Sequence, residues 1–189
     1  MWRAVVMRLS LALALAVLAS GCVASLRWTS SEVRSPPPER QRAPASEDAP
    51  DAATAALLAA VNEVRASGAA CGQVAMPSAP PLVWGSLLAL AAERHGQAMA
   101  SEGWFDHRAP DGSGVGDRIA ATGYRARAWG ETLAAGYVDP NEVVVAFLAS
   151  PSHCQVLLAE PFEVLGAALV ERSDSAYGSY WTVVVATPE

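Results

Sequence analysis

Two imidazoles and one carboxylate stand in three separate segments of this chain. His107 ends Trp104-Phe105-Asp106-His107, Glu131 lies in Gly130-Glu131-Thr132, and His153 lies in Ser150-Pro151-Ser152-His153-Cys154. The chain has only three histidines, so two of them beside such signatures locate a candidate site. Groups of these types can hold Zn²⁺ with a position left open for water, which the metal then turns into a nucleophile. They can also bind a ligand through a few convergent polar groups set among apolar walls. A buried Glu bonded to two imidazoles can equally lock three segments together with no chemistry at all. Three readings therefore stand side by side: a ligand-binding or interaction cleft lined by His107, Glu131 and His153, a metal-assisted hydrolase using the same trio, and a structural polar network. The helical His-Glu spacing of metalloproteases is absent, and Ser150 and Ser152 read as helix-start caps rather than nucleophiles. No catalytic residue is assigned.

Other polar and aromatic residues have plainer expectations. His95 falls on an apolar helical stripe and reads as a satisfied core histidine. Trp84, Trp104, Trp129 and Trp181 read as core and cleft wall, with Trp104 and Trp129 near the trio. Glu93 and Glu102 read as solvated helix-face acids. Asp106 either orients His107 or faces solvent.

The elements that must position the trio follow from periodicity and punctuation. A helix is expected near 53–67, where Leu57, Val61 and Val64 share a face and Gly68 stops it. A second is expected near 86–102 on the stripe Leu88, Ala92, His95 and Met99, ended by Gly103. A short helix near 116–121, one near 140–149 capped by Asp139, and a further turn from Ser150-Pro151 complete the helices. Residues 164–172 and 179–187 are rich in Val, Tyr, Trp and Ala around a turn at 174–178, which predicts two antiparallel strands. A third strand includes residues 131–135. The class is α+β, with helices covering a small, mainly antiparallel sheet.

Ahead of this domain, Arg3 and Arg8 precede the apolar run Leu9 to Ala19, and Ala19-Ser20-Gly21-Cys22 has the form of a bacterial lipobox with Ala in place of the commoner Leu. Residues 1–22 are expected to be a lipoprotein signal peptide and Cys22 the lipidated (palmitate-bearing) residue. An uncleaved anchor or ordinary secretion is the alternative. The Pro-rich stretch 23–52 is a tether, and 53–189 is the globular domain. The protein is thus expected to be exported to the cell envelope and lipid-anchored to a membrane. The remaining cysteines, Cys71 and Cys154, make an even pair in an exported domain. They read as a disulfide, with two buried free thiols as the alternative. All 13 Lys or Arg residues are Arg, the net charge is −6, and no basic cluster appears, which excludes nucleic-acid binding. A small apolar or envelope-derived ligand is the expected partner besides the membrane, with a divalent metal such as Zn²⁺ as the only cofactor considered.

Taken in order, Asn62 and Arg65, Leu82-Val83-Trp84, Phe105-Asp106-His107, Arg118-Ile119, Gly130-Glu131, Ser150-Pro151-Ser152-His153, Phe162, Gly166 and Tyr180-Trp181 resemble the CAP superfamily, also called the SCP domain, in its bacterial branch. The resemblance covers about residues 55–187. It implies an α–β–α sandwich with a central cleft and a His–Glu–Glu–His arrangement that binds a divalent metal in some members. By motif, His107, Glu131 and His153 match three of the four positions. The other Glu has no counterpart in Phe147-Leu148-Ala149-Ser150, and Thr132 and Val156 replace the family's usual Asn residues. The resemblance to a subgroup carrying the Cys71 and Cys154 pair adds weight to the disulfide, which would fix the His153 segment against the exit of the first helix.

Overall fold

The computed structural model describes residues 49–189. The expected signal peptide, Cys22 and the tether up to residue 48 lie outside the described residues. Helix α1 (Ala52–Ser67) starts where Asp51 accepts the Thr54 N–H at 2.8 Å. It stops at Gly68, whose φ of 70° only glycine adopts without strain. Asp51 and Ala52, expected in the tether, therefore belong to the helix start. Helix α2 (Ser86–Glu102) buries the expected stripe of Leu88, Ala92, His95 and Met99, and Gly103 closes it in the left-handed region. Helix α3 (Val115–Ala121) is short. In α4 (Pro140–Ala149) the Asp139 carboxylate accepts from the Asn141 and Glu142 N–H groups, as the capping residue predicts. Helix α5 (Pro151–Leu158) follows directly.

Among the described residues six strands accompany them: β1 (Ala69–Cys71), β2 (Val74–Met76), β3 (Val83–Trp84), β4 (Ala126–Ala135), β5 (Val164–Glu171) and β6 (Ser179–Pro188). The main sheet has the order β3-β5-β6-β4. β6 pairs antiparallel with both neighbours, while β3 runs parallel to β5 for two residues only. β6 is buried on both faces, so its sequence is rich in apolar residues on both, with no polar alternation, and Ser179, Thr182 and Thr187 are buried among them. Strands β1 and β2 form a separate antiparallel hairpin. Neither it nor β3 was expected, because two- and three-residue strands carry no readable period.

Helices cover both faces of the sheet, giving the α–β–α sandwich. On one face α1, α4 and α5 pack Leu57, Val61, Phe147 and Leu157 against Leu165, Trp181, Val183 and Val185. On the other face α2 and α3 pack Leu88, Ala92 and Ile119 against Ala168, Val184 and Ala186, and Met99 against Leu133 and Tyr180. Gly166 lets α2 approach β5, since any Cβ there would collide with the backbone of Leu88 and Ala89.

Two devices fasten the α1 layer. Arg65 is fully buried, and among the described residues its hydrogen bonds all go to backbone carbonyls. Its Nε donates to Pro80 O at 2.8 Å, Nη1 to Leu157 O at 2.8 Å and Ala159 O at 3.0 Å, and Nη2 to Phe162 O at 3.1 Å. A planar fork with five donors suits such a cluster of carbonyls at chain turns. The second device is the Cys71–Cys154 disulfide, as expected. It bridges residues 83 apart in sequence and ties the β1–β2 hairpin to α5.

Candidate functional site

Glu131 sits on β4 and points to the same face as Leu133, into the α2/α3 layer, because strand side chains alternate. Its side chain is 1% exposed. A carboxylate so buried must be paired or hydrogen-bonded on both oxygens. Oε1 accepts from His107 Nδ1 at 2.9 Å and Oε2 from Arg118 Nη2 at 2.7 Å. Arg118, on α3, is 12% exposed, and its Nη1 also donates to the His107 carbonyl at 3.1 Å. One guanidinium therefore holds both the carboxylate and the backbone of the loop that carries the imidazole.

Since Nδ1 of His107 faces the carboxylate, Nε2 is left for contacts outside the network. The His107 side chain is 50% exposed. β4 is an edge strand of the sheet, and around it the two helical layers meet. His153, on α5 in the opposite layer, approaches there, with its ring centroid 6.4 Å from that of His107 and 5.5 Å from that of Phe147. Burial, and then the neighbouring His107, hold the His153 imidazole below the ordinary histidine range. The structure thus brings His107 and Glu131 into direct contact and His153 beside His107. It shows no hydrogen bond from His153 to Glu131.

Arg118 is the participant that sequence reasoning left without a role. It appears in the motif series, but nothing in a seven-residue helix marks an arginine as buried. The usable signal was indirect: a Glu between Gly and Thr in an apolar strand calls for a cation. Other expectations divide. His95 is buried, as expected, and its Nε2 bonds the Asp106 carbonyl at 2.9 Å. Burial chiefly depresses its basicity. Asp106 accepts from the Arg108 N–H and does not orient His107. Trp129 is 49% exposed and lies over Gly116, where a Cβ would meet its ring at 2.6 Å, so it is not core. Trp104 stacks edge-on to His95 and donates to Glu102, in a hollow of about 370 Å³ behind Arg118. Ser150 takes the N-cap position of α5, but its hydroxyl caps nothing and lies 3.3 Å from that of Ser152. A larger groove of about 750 Å³ is lined elsewhere, by α2, the start of α1 and β5.

The donor set does not fit a resident divalent metal. Among the described residues no three His, Cys, Asp or Glu side chains converge. Both oxygens of Glu131 already accept hydrogen bonds, and the Arg118 guanidinium opposes a second cation at that carboxylate. Among the described residues no hydroxyl or thiol is hydrogen-bonded to the imidazole of His107 or His153.

With this geometry in view, relatives are informative. Residues 58–185 match the profile of the cysteine-rich secretory protein (CAP) family. The chain belongs to the CAP family. It is 31% identical over 102 residues to the uncharacterized protein YkwD of Bacillus subtilis, a match that covers 54% of this chain and 38% of that one. The chain thus spans well under half the length of that curated relative. Among solved structures, the fold is similar to an outer surface protein from Borrelia burgdorferi (TM-score 0.62, 20% identity, 72% of this chain and 92% of that chain). An extracellular protein containing a SCP domain from Bacillus anthracis is also similar (TM-score 0.51, 27% identity, 58% of this chain and 34% of that chain). Among the described residues no helix is long and apolar enough to cross a membrane.

Proposed function

We propose that this CAP domain is exported, held at the cell envelope by a lipid on Cys22 and a tether over residues 23–52, and works by binding rather than by catalysis. The observation that carries the binding reading is the double engagement of Glu131. A carboxylate occupied on both oxygens is a poor general base and a poor metal ligand, while it holds the exposed imidazole of His107 in one orientation. In this reading Glu131 and Arg118 are internal support. His107 and His153, with Phe147 behind the latter, form the face that meets a small apolar or envelope-derived ligand. The signal-like sequence of residues 1–22 with its lipobox-like end, and the disulfide, support this location, as do outer-surface and extracellular proteins of similar fold.

Native mass spectrometry of the full chain from an oxidising compartment tests both parts. The expected species carries lipid on Cys22, is two hydrogens lighter than the reduced chain and retains no metal. A stoichiometric divalent metal that disappears in His107→Ala would refute the binding reading in favour of the hydrolase. A ligand mass retained in full by a folded His107→Ala/His153→Ala double variant would refute the placement of the binding face.

A further inference from the structure

The main sheet has a second edge with an unfinished ladder. Val83 and Gly85 donate to Glu163 and Leu165 of the β5 segment, and there the pairing stops because the chain turns into α2. Backbone groups two residues apart point to the same edge of a strand, so the N–H and C=O of Ala167 and Leu169 face where β3 would have continued. Among the described residues nothing bonds these groups. Ala167 is nonetheless 3% exposed, and main-chain groups left orphaned in such a place are rare. They floor the groove of about 750 Å³, whose walls include Leu87 and Leu90 of α2. Among the described residues its charged lining is Asp51 and Glu93.

We propose that this groove binds an extended peptide segment bearing an Arg or Lys, which adds to the free edge of β5 as a further strand. Main-chain bonds to Ala167 and Leu169 supply the attachment, alternate apolar side chains meet Leu87 and Leu90, and the cation meets Glu93. Four residues of strand span roughly 13 Å, the length of the unpaired stretch. The groove's volume lies in the ordinary range for binding sites, about 300–1,000 Å³. The site lies apart from the His107 face and does not depend on it.

The test uses the full chain and a library of capped six-residue peptides randomised at every position. Bound peptides should be enriched in Arg or Lys at one position and β-branched residues at alternate ones. The consensus peptide should bind Glu93→Arg at least about tenfold more weakly, a factor equal to about one charge-assisted hydrogen bond. N-methylation of its ladder-facing amides should cost a similar factor, and methylation of the alternate amides little. No enrichment over the Glu93→Arg protein, or binding indifferent to N-methylation, overturns the proposal. So does amide-exchange protection of Ala167 and Leu169 in the free full chain that is lost on deleting residues 23–48, which would assign the edge to the chain's own tether.

Discussion

Glu131→Ala is the perturbation that most directly probes how the site is built. It removes a carboxylate that is 1% exposed and leaves the Arg118 guanidinium, 12% exposed, without its counter-ion. Removing one partner of a buried pair costs about 3–5 kcal/mol. The slight exposure of Arg118 places this case at the lower end, and the half-exposed His107 bond adds no more than about 0.5 kcal/mol. The expected loss is about 3 kcal/mol, or a fall in Tm of roughly 10 °C for a domain of this size. His107→Ala should cost under about 1 kcal/mol, because its imidazole reaches solvent. Arg118→Met strands the carboxylate instead. In the double variant Glu131→Ala/Arg118→Met neither charge remains, so the two losses should fall short of adding by about 1–3 kcal/mol. Urea unfolding of the oxidised full chain measures all four proteins. A Glu131→Ala loss below about 1 kcal/mol, or strictly additive losses, would refute the view that Glu131 and Arg118 are a coupled internal support.

Three further outcomes follow from the geometry. Arg65→Met removes the donor to the Pro80, Leu157, Ala159 and Phe162 carbonyls, of which Ala159 keeps a bond from the Phe162 N–H, and should cost about 3–5 kcal/mol in urea unfolding, several times the effect of Arg127→Met on the surface. Reducing Cys71–Cys154 opens a loop closed across 83 residues and should lower stability by about 4–5 kcal/mol, read as the difference in urea midpoint between oxidised and reduced protein. His153 binds its proton less readily in the folded state than in the unfolded chain, where the value is about 6.5. Between the lowered folded value and about pH 6.5 the unfolded state therefore holds more protons, so the contribution of a neutral His153 is present above that range and lost as pH falls through it. The Tm advantage of the wild type over His153→Gln should accordingly shrink on going from about pH 7.5 to about pH 5; an advantage that grows on acidification would refute the assignment.

Much of the layout was legible because it rests on local signals. The α2 stripe, the Asp139 cap and the Gly68 and Gly103 stops set helix ends within a residue or so. The disulfide followed from an even cysteine pair in a domain whose sequence leads one to expect export. Elements that exist only through tertiary pairing escaped. β3 is two residues that form a strand because Asn62 holds both polar groups of Leu82 and β5 lies alongside. The motifs single out His107, Glu131 and His153, but the contact of His107 with Glu131 and the placing of His153 beside His107 come only from the fold. Arg118 lies 13 positions from Glu131 and on another element, so only the fold reveals that the carboxylate already has a cationic partner. Trp129 misled for a related reason. Large aromatics are usually buried, yet here the missing side chain of Gly116 makes a shallow seat on the surface.

The covalent tie at Cys154 carries a consequence for when the molecule matures. The residue next to His153 is fixed to the hairpin only after two thiols have given up their hydrogens. A newly made chain in a reducing compartment carries every side chain of the site but not this constraint on α5. The face that holds His153 is then completed by the chemistry of the surroundings rather than by synthesis. Oxidation of the two thiols is then itself a step in assembly, and a chain that folds before it remains unfinished until the bond forms.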